Sequence, residues 1–195
     1  TTMLEATVRA LGGRLRLAGI EDDVATERDA DRLRALGIPA VQILTAGACH
    51  LDARQVRKVM DEAHLPGFDI LFIENVGNLI CPTSYDLGED FKVALLSVAE
   101  GDDKPFKYPA IFARAEVTVV TKVDLLPHVS FDLAAVREQL ASLNPGGNVV
   151  LTSARSGEGA IATLTAAAAA LAVLPLVAAD PRLALDQSLR HNTLR

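Results

Sequence analysis

The sequence predicts an α/β fold with three layers, a mostly parallel sheet held between helices. Three observations predict it. Six short strand-like runs alternate with helix-like ones over most of the 195 residues, the order that builds parallel sheets through helical crossovers. Several runs place apolar residues at consecutive positions, as strands covered on both faces do. The polar residues with chemical interest follow the runs, where ligands bind in open α/β sheets. The chain is long enough for one well-buried core and too short for several.

The opening stretch, TTMLEATVRALGG, reads as a helix with Leu4, Val8 and Leu11 on one side. No strand precedes it. A doubly wound nucleotide-binding domain opens with a strand and a phosphate-binding loop before such a helix, so the chain is expected to begin after its own opening. RLRLAGI (14–20) is the first strand-like run. Thr26 can cap the next helix, with Asp29 three positions on, Ala30, Leu33 and Leu36 inward, and Gly37 and Pro39 as the stop. AVQIL (40–44) is the second strand. A helix from about Leu51 to His64 turns Val56, Val59, Met60 and Ala63 inward and ends before Pro66-Gly67. FDILFIE (68–74), FKVALLSV (91–98) and VTVVTK (117–122) follow as strands. A helix after Ser130 buries Leu133, Val136, Leu140 and Leu143 and stops at Asn144-Pro145-Gly146-Gly147. NVVLTS (148–153) is the last strand, and the last helix runs from near Gly157 to Pro175. Residues 160–179 carry no charge, but the alanine run and Pro175 suit a helix packed on a sheet rather than a membrane span. Residues 179–195 read as a surface tail.

The formal charge of −6 comes without any Lys/Arg patch interleaved with aromatics, which excludes nucleic acid as the expected partner. Two distant cysteines make no disulfide framework, and no signal peptide is evident. The expected compartment is the reducing cytoplasm, with no membrane attachment.

Nucleotide chemistry is signalled at three strand ends. TKVD (121–124) follows a strand. There the Asp124 carboxylate can accept from the N1 and 2-amino donors of guanine, while the Lys122 methylenes lie along the base. Adenine offers the opposite polarity at those edges. SARSGEG follows the next strand, and backbone N–H groups around Ser153 and Ala154 can address the guanine carbonyl. The plain alternative is an ordinary Ser/Gly turn. IENVG ends another strand: Glu74 can act through a Mg²⁺-bound water or position the attacking water, and the Gly77 N–H can reach a γ-phosphate. Asp23 is a further candidate for the Mg²⁺ shell or the water.

TAGACHLDARQ (45–55) places Cys49 and His50 side by side before a helix, and Cys81 follows another strand. The residues alone leave two readings open. A lone cysteine is commonly a buried apolar side chain, a Cys-His pair cannot close a tetrahedral site, and the spacing is not that of a zinc finger. Yet both segments follow strands and can converge above the sheet. Two thiolates and an imidazole suit Zn²⁺ or Ni²⁺ and leave a coordination position open.

CHLDA, LFIENVGNLICP, SYDLGED, LLSVAEGDDKPFKYPAIF, TKVDLLP and SARSGEG together resemble the HypB family, the GTPases that deliver nickel during NiFe-hydrogenase maturation. The similarity covers about residues 1–165. It implies a G domain of the dimerising SIMIBI class, a P-loop NTPase-like fold over residues 1–178 without its first strand and loop glycines and lysine, followed by the 179–195 tail. Thr1 and Thr2 stand where the family's GKTT loop ends, with Thr1 as the Mg²⁺ hydroxyl. Asp23 matches the aspartate of the family's EGD, with Asp22 in place of its glycine, and Asp124 matches the guanine reader, with Thr121 in place of asparagine. Cys49, His50 and Cys81 match the G-domain metal ligands. TAGACH replaces the family's TGKGCH, so its lysine is lost.

The implied function is a GTP-binding and hydrolysing metallochaperone that couples nucleotide state to nickel delivery. Asp23, Glu74 and Gly77 are its catalytic set, and GTP/GDP, Mg²⁺ and Ni²⁺ or Zn²⁺ its ligands. The implied partners are a second copy favoured by GTP, a nickel-accepting maturation protein and the hydrogenase large subunit. Lacking the loop glycines and lysine, residues 1–195 alone are expected to hydrolyse GTP poorly. The alternatives are a metal-binding or scaffold protein without GTPase activity and a related G protein serving urease or cobalamin enzymes; CHLDA with NLICP speaks against the latter.

Overall fold

The computed structural model describes residues 1–11, 13, 15–23, 28–44, 50–63, 65 and 67–159. They fall in two units, Thr1–Glu89 and the unit that begins at Asp90. In the first, helix α1 (Thr2–Leu11), strand β1 (Leu17–Asp23), helix α2 (Arg28–Arg34), strand β2 (Ala40–Leu44), helix α3 (Ala53–Glu62) and strand β3 (Ile70–Glu74) follow one another. The three strands form one parallel sheet in the order β2-β1-β3. β1 thus lies between the strand that follows it directly and the strand that crosses back, a topological switch point.

The period of two decides which face each side chain covers. Ile20 and Ile43 meet Leu51 and Val56 of the α3 side, with Val59, Leu71, Ile73 and Leu87 packed against them. The opposite face meets α2, where Ala30, Leu33 and Ala40 form a second cluster with Leu4 and Ile38. This close approach requires Gly19, because a Cβ there would stand 2.8 Å from Leu33 Cδ1. A helix layer therefore covers each face of the β2-β1-β3 sheet. α3 starts at a capping box: Asp52 Oδ1 accepts from the Gln55 N–H at 2.9 Å and Gln55 Oε1 from the Asp52 N–H at 2.8 Å. Leu51, just before it, is fully buried, so truncation to alanine is expected to cost about 2–5 kcal/mol.

In the second unit, strand β4 (Val93–Ser97), the short helices α4 (Lys104–Lys107) and α5 (Pro109–Arg114), strand β5 (Val117–Thr121), helix α6 (Leu133–Leu143) and strand β6 (Asn148–Thr152) build a parallel sheet in the order β4-β5-β6. β5 is central, and Val117, Val119 and Val120 are fully buried, as its unbroken branched run requires. Phe112, Val136 and Leu140 bury the helices. Asn144 closes α6 and its Nδ2 donates to the Ala115 carbonyl at 2.9 Å.

Several expectations are corrected. β1 starts at Leu17 rather than residue 14 and continues through Asp22 and Asp23, which pair with Ile43 and Leu44 instead of following the strand. α3 spans Ala53–Glu62, and Met60 is 43% exposed, not inward. α4 and α5 occupy a stretch read without helices. The parallel α/β reading itself holds: every pairing among the six strands is parallel, in two three-stranded sheets among the described residues. Thr26, Cys49, His64, the helix beyond residue 159 and the 179–195 tail lie outside the described residues. Among those described, no helix is long and apolar enough to cross a membrane.

Candidate functional site

At the carboxyl ends of the first sheet, register aligns Gln42 of β2, Glu21 of β1 and Glu74 of β3 in one row. Residues in register on parallel strands share a face, so three polar side chains meet on the face covered by α2. Glu21 is 1% exposed. Burial pushes its carboxyl up to about 9, and the hydrogen bond and charge of Glu74 push the same way. Its Oε1 has no hydrogen-bond partner, and neither do the buried amide atoms of Gln42. The Thr1 amino group donates to the Glu74 carboxylate. Thr2 Oγ1 accepts from Arg32 Nη2 at 2.9 Å, and Arg32 also binds Glu5 and Asp29. Asp22 is 8% exposed within β1, and Asp23 ends that strand. The structure thus brings Glu74 beside Thr1 at the start of α1.

The segment after β3 is shaped by two asparagines. Asn75 Oδ1 accepts from the Val76 N–H at 2.9 Å and from the Leu51 N–H at 3.2 Å, tying the residue after Glu74 to the residue after His50. Asn78 Oδ1 accepts from the Ile80 and Cys81 N–H groups at 2.8 and 3.1 Å. That turn delivers Cys81 to the first position of a short 3₁₀ helix, Cys81–Ser84, where its thiol is free and half-buried. Gly77 is exposed within the same segment. One residue beyond the 3₁₀ helix, the Tyr85 ring stacks on His50 with centroids 3.7 Å apart and planes 19° from parallel. His50 and the Cys81 segment are therefore joined. No group of three His, Cys, Asp or Glu side chains with metal-binding geometry occurs among the described residues, which do not include Cys49.

In the second unit, Thr121 and Thr152 are in register at the ends of β5 and β6. Lys122 adopts the left-handed conformation, φ 59°, between β5 and a 3₁₀ helix over Val123–His128 that carries Asp124. Ser153 is fully buried, and its Oγ donates to Asp124 Oδ1 at 2.6 Å. The two strand-end motifs therefore meet. The Ser153 N–H donates to the Glu158 carbonyl at 3.0 Å, and Thr152 Oγ1 to the same carbonyl at 2.7 Å. This corrects one expectation: the Ser153 N–H is engaged inside the turn, and its hydroxyl acts on Asp124 instead. Ala154 occupies the turn itself.

Sequence reasoning missed Glu21, Gln42, Asn75, Asn78 and Tyr85. Glu21 carried one signal, an acidic residue inside an otherwise apolar strand (AGIEDD).

A family model described as the CobW/HypB/UreG nucleotide-binding domain matches residues 1–151. The hydrogenase maturation factor HypB of Azotobacter chroococcum mcd 1 is 51% identical over 161 residues, covering 82% of this chain and 52% of that protein. The chain thus spans about half the length of the curated relatives it matches. A crystal structure of HypB from Helicobacter pylori in complex with nickel aligns with a TM-score of 0.78 and 39% identity, over 84% of this chain and 77% of that one. HypB from Archaeoglobus fulgidus aligns with a TM-score of 0.77 and 34% identity, over 87% and 82%. The chain belongs to the CobW/HypB/UreG nucleotide-binding family, on its HypB branch.

Proposed function

We propose that this chain is the nucleotide-binding part of a GTP-hydrolysing nickel metallochaperone that acts in hydrogenase maturation. The observation that carries the reading is the 2.6 Å bond from Ser153 to Asp124. Ser153 fixes the plane of the carboxylate through Oδ1, and the remaining acceptor sites of Asp124 take the guanine N1 and 2-amino donors. Lys122 lies along the base. Ala154 supplies the N–H for the guanine carbonyl. The first unit carries the phosphate-handling set, with Thr1 and Thr2 at the start of α1, Glu74 positioning the attacking water and the Gly77 N–H directed to the γ-phosphate.

The donor set fits Mg²⁺: Glu21 Oε1 is a buried oxygen without a partner, and Thr1, Asp23 and Glu74 complete a hard, oxygen-only set. When bound, Mg²⁺ neutralises phosphate charge. Thr1 and Asp23 would hold it, beside the fully buried Glu21 and the half-buried Gln42 and Glu74.

Nickel is the cargo. Cys49, His50 and Cys81 offer two thiolates and an imidazole to Ni²⁺, or to Zn²⁺, with a position left open for handover. Asn75 links the nucleotide-facing Glu74 to the His50 segment, so nucleotide state biases cargo affinity, and the reverse holds by linkage. A second copy favoured by GTP, a nickel-accepting maturation protein and the hydrogenase large subunit complete the cycle. Free thiolates require a reducing compartment, the cytoplasm.

Base discrimination by the full-length protein tests the reading. GDP is expected to bind at least about 10³-fold more tightly than ADP, as sites built around a substrate's hydrogen-bonding pattern achieve, with GTP turnover alongside. Equal affinity for the two nucleotides would overturn it.

A further inference from the structure

We propose that Tyr85 is a positioning residue for His50: it holds the imidazole in the orientation from which the ring takes a divalent cation. The proposal rests on the metal reading above and adds a residue that reading does not use.

The backbone beside His50 is fixed on its carboxyl side. Leu51 is fully buried, its N–H donates to Asn75, and Asp52 opens the capping box of α3. None of these contacts sets the two side-chain torsions of His50. The stack with Tyr85 restrains them, at 3.7 Å between centroids and 19° between planes.

Tyr85 rides on the segment that carries Cys81. Asn78 gathers the Ile80 and Cys81 N–H groups, Thr83 is buried with its hydroxyl donating to the Leu79 carbonyl at 3.2 Å, and the Tyr85 N–H closes on the Pro82 carbonyl at 3.5 Å. A ring fixed to this turn therefore sets the imidazole relative to the thiol of the same turn.

The core does not explain the contact, because Tyr85 is 43% exposed. The chemistry does. A stack restrains an imidazole through its π faces, whereas a metal bonds the in-plane nitrogen lone pairs, so the two contacts use different parts of one ring. Fixing the ring before the cation arrives removes the ordering cost from the binding step. The stack uses the face of the ring, which a phenyl group retains.

The test titrates Ni²⁺ alone into the full-length protein with GDP bound, for wild type, Tyr85→Phe and Tyr85→Leu. His50 ring-proton NMR shifts are recorded on the same metal-free proteins. Tyr85→Leu is expected to weaken Ni²⁺ about tenfold, the lower range for residues that orient a metal-bound histidine. Tyr85→Phe should stay within about twofold. The ring-current displacement of the His50 signals should persist with Phe and vanish with Leu. Wild-type affinity in Tyr85→Leu, or equal weakening by both substitutions, would overturn the positioning role alone. Failure of the wild type to take up Ni²⁺ would overturn the metal reading and the cation half of this proposal, with the NMR shifts still reporting whether the stack forms.

Discussion

Asp124 and Glu21 both stand at the ends of parallel strands, and the fold treats them in opposite ways. Asp124 is exposed and receives a hydroxyl at 2.6 Å from a serine that is itself locked in a hydrogen-bonded turn. Glu21 is 1% exposed, sits beside Glu74, and keeps one oxygen without a partner. The first arrangement is satisfied and rigid, which suits reading a fixed pattern of donors on a base. The second buries a carboxyl that desolvation and the neighbouring Glu74 push toward its protonated form, with one oxygen left without a partner. On the proposed reading, a base reader gains from being finished in advance, and a charge-handling site gains from remaining unfinished.

The largest expected effect breaks the finished side. Asp124→Ala should weaken GDP about 10²–10⁴-fold, the loss of two hydrogen bonds to a charged acceptor at about 1.5–3 kcal/mol each. Calorimetric titration with GDP measures it, and an unchanged affinity would remove Asp124 from the pocket.

The next sharpens the unfinished side. Burial, with the neighbouring Glu74 acting the same way, pushes the folded-state Glu21 carboxyl up to about 9 from an ordinary value of 4.5. Between those values the folded chain holds a proton that the unfolded chain has released. Glu21 therefore makes stability fall as pH rises from about 4.5 to about 9, with a slope approaching about 1.4 kcal/mol per pH unit. Glu21→Gln should remove that decline, leaving the variant more stable than wild type at the alkaline end in urea unfolding. Parallel profiles for the two proteins would refute the buried-charge description.

The smallest of the three tests the frame of the base reader. Gly159 has φ +74°, and a Cβ there would lie 2.0 Å from the Leu151 carbonyl oxygen. Gly159→Ala should cost about 1–3 kcal/mol in unfolding and loosen GDP by displacing the Glu158 carbonyl that holds Ser153. A neutral substitution would mean that the turn is not a rigid support.

The sequence carried the strands where the apolar run was bounded by breakers. β2 was read to the residue, since Pro39 precedes it. β1 was read three residues early because Arg16 extends the alternation. It was also ended early, because acidic residues disfavour strands until pairing overrides the preference, here with β2 for all three and with β3 for Glu21 as well. α4 and α5 went unread because Pro105 and Pro109 look like loop residues, although proline is at home in a first helical turn. Met60 matched the helical stripe, but α3 buries Val56 and leaves Met60 on its outer flank. At the site, the meeting of Asp124 and Ser153 was legible because one helix separates two strand-end motifs, which places neighbouring strand ends together. Glu21, Gln42 and Tyr85 were not, because their meaning lies in neighbours from other strands and loops that no spacing in the sequence reveals.

The central claim is that the Asn75–Leu51 link lets the nucleotide-facing strand end govern the His50–Cys81 region. Titrating Ni²⁺ into the full-length protein, once with GDP and once with a nonhydrolysable GTP analogue, tests it most directly. The account predicts affinities that differ by about 5–150-fold, the usual span of coupling between sites. Identical affinities in the two nucleotide states would contradict it.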